Sequence, residues 1–98
     1  MAIRHIVLIK WKEAASADDR ATTISRLRAL PQQIPEIRGY VVEENRGSAE
    51  LNFDLAIIGE FDDMASYETY RDHPVHQAVI HESILPILET RGAIQISN

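Results

Sequence analysis

The sequence predicts an α+β fold in which helices cover one side of an antiparallel sheet. The elements that it predicts follow the order strand, helix, strand, strand, helix, strand, and a proline breaks the second helix. A chain of 98 residues is too short to divide its core, so all of these elements must pack together. We therefore expect residues 1–98 to form a single domain with a four-stranded antiparallel sheet in the ferredoxin-like βαββαβ arrangement.

The first two elements follow from composition and spacing. Residues 3–11 are rich in β-branched side chains and apolar on both alternating faces, which is typical of a strand covered on both sides. A helix is predicted over residues 17–30, since Ser16 can cap its start and aspartates occupy its first turn. Pro31 marks the end of this helix.

A long hairpin is predicted next. Its strands cover residues 37–44 and 53–61, and the polar segment 45–48 forms the turn between them. On the second of these strands, Leu55 and Ile57 share one face, and Ala56 and Ile58 lie on the other.

The rest of the chain predicts a broken helix and a last strand. The second helix starts near residues 62–65, is interrupted at His73-Pro74 and continues from Pro74 to about Leu85. A final strand is predicted over residues 92–97, because Ile94 and Ile96 alternate with polar neighbours.

The face of the sheet away from the helices is unusually apolar. Ile6 and Leu8 on the first strand and Ala56 and Ile58 on the third are predicted to lie on it. Because burying such a face favours association, we expect a homodimer through the sheet face, in which two sheets form a dimeric α+β barrel.

Composition narrows the possible partners. The net charge is −5 and no dense basic cluster occurs, so we expect no nucleic acid partner. The chain lacks cysteine, which excludes disulfides and thiolate metal sites, and its N-terminus resembles neither a signal peptide nor a membrane span. We expect a cytoplasmic protein that does not bind membranes.

Histidines are the main candidates for chemistry. Three of the four lie within nine residues, and His76 falls on an apolar stripe whereas His81 falls off it. We predict that His5 and His76 face each other across a pocket between sheet and helices, with Tyr70 at its mouth, as acid–base or hydrogen-bonding groups. Alternatively, His76 only caps its helix and His5 is a core residue with a satisfied hydrogen bond.

The same pattern predicts an apolar pocket without a metal or cofactor. His73 and His76 are three residues apart, but no His-Glu-x-x-His motif accompanies them. No glycine-rich phosphate loop is present, so we expect no nucleotide cofactor. The predicted pocket walls are Val7, Ile9, Ile24, Leu27, Leu55, Ile57, Val79 and Ile80.

Two segments together resemble a known family. The segment 3–12, Ile-Arg-His-Ile-Val-Leu-Ile-Lys-Trp-Lys, and the segment 70–76, Tyr-Arg-Asp-His-Pro-Val-His, are similar to those of the stress-responsive A/B barrel domain (Dabb) family, a branch of the dimeric α+β barrels. The resemblance covers nearly the whole chain. It implies a homodimer whose sheets meet face to face.

The resemblance leaves two functions open. Most members have no assigned activity, which favours a small homodimeric module with an apolar ligand pocket. The alternative is a cofactor-independent, polyketide cyclase-like enzyme (an aldol cyclase, lyase or isomerase), as in one similar plant protein. In that case the resemblance implies His76 as general base, Tyr70 as the substrate-orienting hydroxyl and His5 as a pocket hydrogen-bonding group. The chain departs from that cyclase at Leu55, where the cyclase has histidine, and from the family at Gln95, where an acidic residue is frequent.

Overall fold

The ferredoxin-like prediction is confirmed. A computed structural model describes residues 1–48 and 50–98, and its four strands form one sheet with the order β2-β3-β1-β4, every neighbouring pair being antiparallel. The strands are β1 (Ile3–Trp11), β2 (Gly39–Glu44), β3 (Leu55–Phe61) and β4 (Leu88–Ser97).

The helices lie on one side of this sheet. They are α1 (Ala17–Arg28), α2 (Met64–Asp72) and α3 (Pro74–Val79), and α3 continues through a π-helical turn (Ile80–Ile84) and a 3₁₀ turn (Leu85–Ile87) into β4. Another 3₁₀ turn, Leu30–Gln32, follows α1. Ser16 caps α1 by accepting a hydrogen bond from the Asp19 amide, as the sequence predicts. In residues 1–48 and 50–98, no helix has the length and apolar character needed to cross a bilayer.

Several predicted boundaries are wrong. The hairpin strands start two residues later than expected, at Gly39 and Leu55, and the segment after Pro74 changes helix type instead of remaining α-helical. The last strand begins at Leu88 rather than at residue 92, because β1 pairs with β4 along nearly its whole length, up to Trp11 opposite Leu88.

Strand register decides which side chains face the helices. On β1, His5, Val7 and Ile9 are buried, and their neighbours on the other face, Ile6 and Leu8, are half-buried or exposed. The same alternation occurs on β3, where Leu55, Ile57 and Phe61 are buried. Strand period 2 therefore directs His5 toward the helices and leaves an apolar row on the opposite face.

The core fills the space between sheet and helices. Leu27, Leu30 and Ile34 are completely excluded from solvent there. Ile9 and Leu55, which are 1% exposed, extend this core onto the two central strands. This packing fixes the helices over the sheet and so positions the site between them.

Candidate functional site: a cavity lined by two histidines

A cavity of about 440 Å³ opens between the helix side of the sheet and the helical segments. Its floor comes from β1, β3 and β4, and its walls come from α1, α2, α3 and the turns that follow α3. The lining residues on the strands include His5, Val7, Ile9, Ile57, Ala93 and Gln95, and those on the helical segments include Leu27, Tyr67, Tyr70, His76, Ile80 and Ile84.

The structure brings the three predicted polar residues to this one cavity. His5, Tyr70 and His76 all line it and all are buried. Of the predicted apolar walls, Val7, Ile9, Leu27, Ile57 and Ile80 also line it. Ile24, Leu55 and Val79, which are also predicted as walls, do not line it and are buried in the surrounding core.

The position of His76 follows from the break at Pro74. Proline has no backbone N–H and cannot continue a helix, so α2 ends at Asp72 and leaves the carbonyl of Arg71 without its helical donor. The His76 Nδ1–H donates to this carbonyl over 3.0 Å, and the Gln77 side-chain amide donates to it over 2.6 Å. A carbonyl can only accept, so His76 carries its ring proton on Nδ1.

His73 caps the following helix. Its Nδ1 accepts a hydrogen bond of 3.1 Å from the Val75 amide at the start of α3, while its own amide donates to the Tyr70 carbonyl at the end of α2. The alternative in which His76 caps its own helix is therefore wrong, since His73 performs that role. The prediction that His73 ends the preceding helix is confirmed.

His5 is held in the same way by a different partner. Its Nδ1–H donates over 2.6 Å to Oε1 of Gln95, the residue directly opposite it on β4. Its ring also packs against Tyr67, with the ring centroids 4.8 Å apart. Because Nδ1 holds the proton, Nε2 is the unprotonated nitrogen of the neutral ring.

The two histidines share a chemical state. Burial lowers the pKa of both rings, against the opposing effect of their hydrogen bonds, and the positive charge of Arg91 lowers both further. His5 binds Gln95 and His76 binds Arg71 through Nδ1, and within residues 1–48 and 50–98 neither Nε2 is a fully buried nitrogen without a partner. The cavity therefore offers two neutral imidazoles whose basic nitrogens are accessible.

Tyr70 lies deeper than predicted. Its side chain is 2% exposed instead of lying at the mouth, because its hydroxyl is hydrogen-bonded to that of Tyr40 over 2.7 Å. The Tyr70 ring stacks on His76, with centroids 4.1 Å apart and planes 27° apart. Burial raises the pKa of Tyr70 to about 12, so its hydroxyl is neutral and available as a hydrogen-bonding group at neutral pH.

Sequence reasoning missed several lining residues. The cavity is also lined by Tyr67, Arg91, Ala93 and Gln95. Tyr40 does not line it but is hydrogen-bonded to the hydroxyl of Tyr70. A signal for part of this set was present: if Ile94 and Ile96 face away from the helices, residues 91, 93 and 95 must face toward them. No comparable local pattern connects Tyr40 with Tyr70.

The described residues contain no ready-made metal centre. Over residues 1–48 and 50–98, no three histidine, aspartate or glutamate side chains converge in a way that could hold a metal ion. His73 uses its Nδ1 as a helix cap, and His76 uses its Nδ1 on a carbonyl. The expectation that the chain binds no metal stays a prediction.

Comparison with known proteins now assigns the family. A family model described as the stress responsive A/B barrel domain (Dabb) matches residues 3–98. The chain belongs to the Dabb family. An uncharacterized protein of Streptomyces coelicolor is 32% identical over 78 residues, which are 78% of this chain and 80% of that protein.

Solved structures agree with a Dabb fold. A dimeric ferredoxin-like protein of unknown function from Thermobifida fusca is 35% identical, with a TM-score of 0.90 over 100% of this chain and 92% of its own. The hydroxynitrile lyase of Passiflora edulis is 19% identical, with a TM-score of 0.85 over 97% of this chain and 91% of its own. At that identity the likeness to the lyase concerns the fold alone.

The neutral state of the two histidines predicts how stability depends on pH. Folding lowers both pKa values below 6.5, so below that pH the unfolded chain takes up protons that the folded chain excludes. The free energy of unfolding should therefore be highest above pH 6.5 and fall as the pH is lowered from 7.5 to 5.0, as measured by urea unfolding. His5→Asn and His76→Asn should each weaken this dependence.

The exposed His81 provides the control for this measurement. His81→Asn should keep the wild-type dependence on pH, because the ring lies in solvent. The carboxyl groups with lowered pKa values, Glu60, Asp63 and Asp72, titrate below the range tested. Equal loss of stability in wild type and both buried-site variants would contradict the prediction.

Proposed function

We propose that this Dabb protein is a small homodimeric module that binds an apolar or aromatic small molecule between its sheet and its helices. The observation that carries the proposal is one cavity in which apolar walls surround two neutral histidines with accessible Nε2 atoms. Its volume of about 440 Å³ is that of a typical small-molecule site. The cytoplasmic location expected from the sequence stays a prediction.

The cavity chemistry indicates how such a ligand would be held. Val7, Ile57 and Ile80 offer apolar surface for the body of the ligand. The Nε2 atoms of His5 and His76 can only accept hydrogen bonds while the rings are neutral, so a ligand hydroxyl would suit them. An apolar wall with a few convergent polar groups is the usual plan of a site that orients its ligand.

The homodimer is proposed to form through the outer face of the sheet. Cross-strand register aligns Val41, Ile58, Ile6 and Ile94 in one row across all four strands. Val41 and Ile94 are 47% and 55% exposed in the single chain. A second copy would bury this row, and the Thermobifida fusca protein, which shares 35% identity, is described as dimeric.

A second candidate function is cofactor-independent acid–base catalysis at the same site. Its specific support is the tautomer of His76, because the Arg71 carbonyl holds the proton on Nδ1 and leaves Nε2 as an unprotonated base. Stacking against Tyr70 fixes the ring plane. This base could remove a proton from carbon next to a carbonyl group, which is the first step of an aldol cyclisation or an isomerisation.

Filling the cavity should abolish ligand binding. Ala93 lines the floor on β4, so Ala93→Trp would occupy the volume with an indole ring. N-phenyl-1-naphthylamine, a neutral probe that fluoresces in apolar sites, should bind the wild type and lose most of its binding to this variant. Ala21→Trp, on the exposed side of α1, should bind as the wild type does. A wild type without probe binding, or equal binding by Ala93→Trp, would contradict the proposed site.

A charge on the outer face should separate the dimer. Leu8→Glu would leave an unpaired carboxylate in an apolar interface, which should destabilise association by several kcal/mol. Sedimentation velocity at micromolar concentration should give a dimer for wild type and a monomer for Leu8→Glu. Met64→Glu, at an exposed apolar residue on the helix side, should stay dimeric. A monomeric wild type, or a dimeric Leu8→Glu variant of unchanged stability, would refute the interface.

Catalysis by His76 can be tested without knowing the substrate. In D₂O, NMR can follow deuterium exchange at the α-carbons of 4-phenylbutan-2-one. If Nε2 of His76 acts as a base, His76→Gln should lower the protein-catalysed rate by roughly 10²- to 10⁴-fold. His81→Gln should keep the wild-type rate. Catalysis by His76 would be contradicted if exchange in the presence of the wild type were no faster than in buffer, or if wild type and His76→Gln gave equal rates. The proposed binding function would then stand alone.

A further inference from the structure

Arg91 brings a cation to the cavity. It lies on β4 directly opposite Ile9 of β1, so its side chain shares the helix-facing side of the sheet. It lines the cavity together with Ala93 and Gln95 of the same strand. Arg91 is exposed, as are all residues from 89 to 98, so the cavity is open to solvent along β4.

The charge of Arg91 is not balanced by the protein. Among the described residues that line the cavity, two are arginines and none is an aspartate or glutamate. Arg71 is neutralised outside the cavity, with Nε and Nη2 donating to Asp72 over 2.8 and 3.0 Å. Arg91 has no ion pair and no side-chain hydrogen bond to residues 1–48 or 50–98.

The field of Arg91 reaches the polar groups of the cavity. Its charge contributes to lowering the pKa values of His5 and His76, and it also acts to lower that of Tyr67. These three side chains belong to β1, α3 and α2, so one cation acts on three elements around the same space. Because Arg91 also lines the cavity, its guanidinium can act on a ligand bound there.

We infer that Arg91 binds the carboxylate of an amphipathic monocarboxylic acid whose apolar body fills the cavity. The inference rests on the binding function proposed above and adds the class of ligand. One unpaired arginine beside neutral histidines matches a ligand with a single negative charge. A phosphate monoester carries a net charge of about −1.5 to −2 at pH 7 and would be only partly neutralised there. The planar guanidinium also fits a carboxylate through two parallel hydrogen bonds.

The acidic character of the whole chain does not oppose this binding. The net charge is −5, but at physiological ionic strength its effect is screened beyond roughly 8 Å. Glu68 and Asp72, the acidic residues nearest in sequence to Arg71, are paired with it. Glu89, two residues from Arg91, lines a separate pocket beside Trp11 and Lys12 and not this cavity. Inside the cavity the local charge is therefore positive.

A pair of probes of equal shape tests the inference. 4-Butylbenzoate and 4-butylbenzamide share an apolar body and differ in charge, and their affinities for the wild-type protein and its variants can be measured by isothermal titration calorimetry. The acid should bind the wild type at least about tenfold more tightly than the amide, as expected for a hydrogen bond between charged groups. Arg91→Gln should reduce acid binding to the level of the amide and leave amide binding unchanged.

The control is Arg46→Gln, in the exposed hairpin turn, which should bind both probes as the wild type does. Equal affinities of acid and amide for the wild type would overturn the role of Arg91 and leave the binding function standing. Equal weakening of both probes by Arg91→Gln would do the same, because the residue would then only support the cavity wall. If neither probe binds the wild type, the binding function itself fails for ligands of this size.

Discussion

The break in the helix at His73-Pro74, where the residue before proline is held in an extended conformation, determines most of the site. In an uninterrupted helix the carbonyl of Arg71 would accept from the Val75 amide, but that amide is held by His73 in the break between α2 and α3. The carbonyl is then free to accept a hydrogen bond from the Nδ1–H of His76, which fixes both the position of the ring and its tautomer. A constraint on the main chain thus decides which nitrogen of a buried side chain is basic.

The second histidine reaches the same state through the sheet. The side chain of Gln95 is neutral, so its hydrogen bond orients His5 without supplying the negative charge that would favour a protonated ring. Burial then dominates, and the pKa of His5 falls. An acidic residue opposite His5 would oppose this effect. With a neutral glutamine at this position, no carboxylate lines the cavity beside Arg91.

The features that could be predicted from the sequence are those that depend on neighbouring residues, such as strand faces and the break in the helix. Alternation on β1 groups His5, Val7 and Ile9 on one face, and the expected meeting of His5 with His76 assigns that face to the helices. The His73-Pro74 pair locates the break between α2 and α3. The partners of these residues could not be found in the same way. Gln95 is 90 residues from His5, and Tyr40 is 30 residues from Tyr70, so their contacts depend on register and packing. The deep position of Tyr70 follows from its bond to Tyr40, which no periodicity indicates.

The alternation of a single strand also connects the cavity with the proposed interface. On β1, Ile6 lies on the outer face directly next to His5 on the inner face, and on β4 Ile94 has the same relation to Gln95. Burial of the outer row by a second copy would restrict the motion of both strands, because packed side chains immobilise the backbone that carries them. The hydrogen bond from His5 to Gln95 joins the inner faces of these same two strands. Assembly would thus help to hold the cavity floor rigid, although the interface and the cavity lie on opposite faces of the sheet.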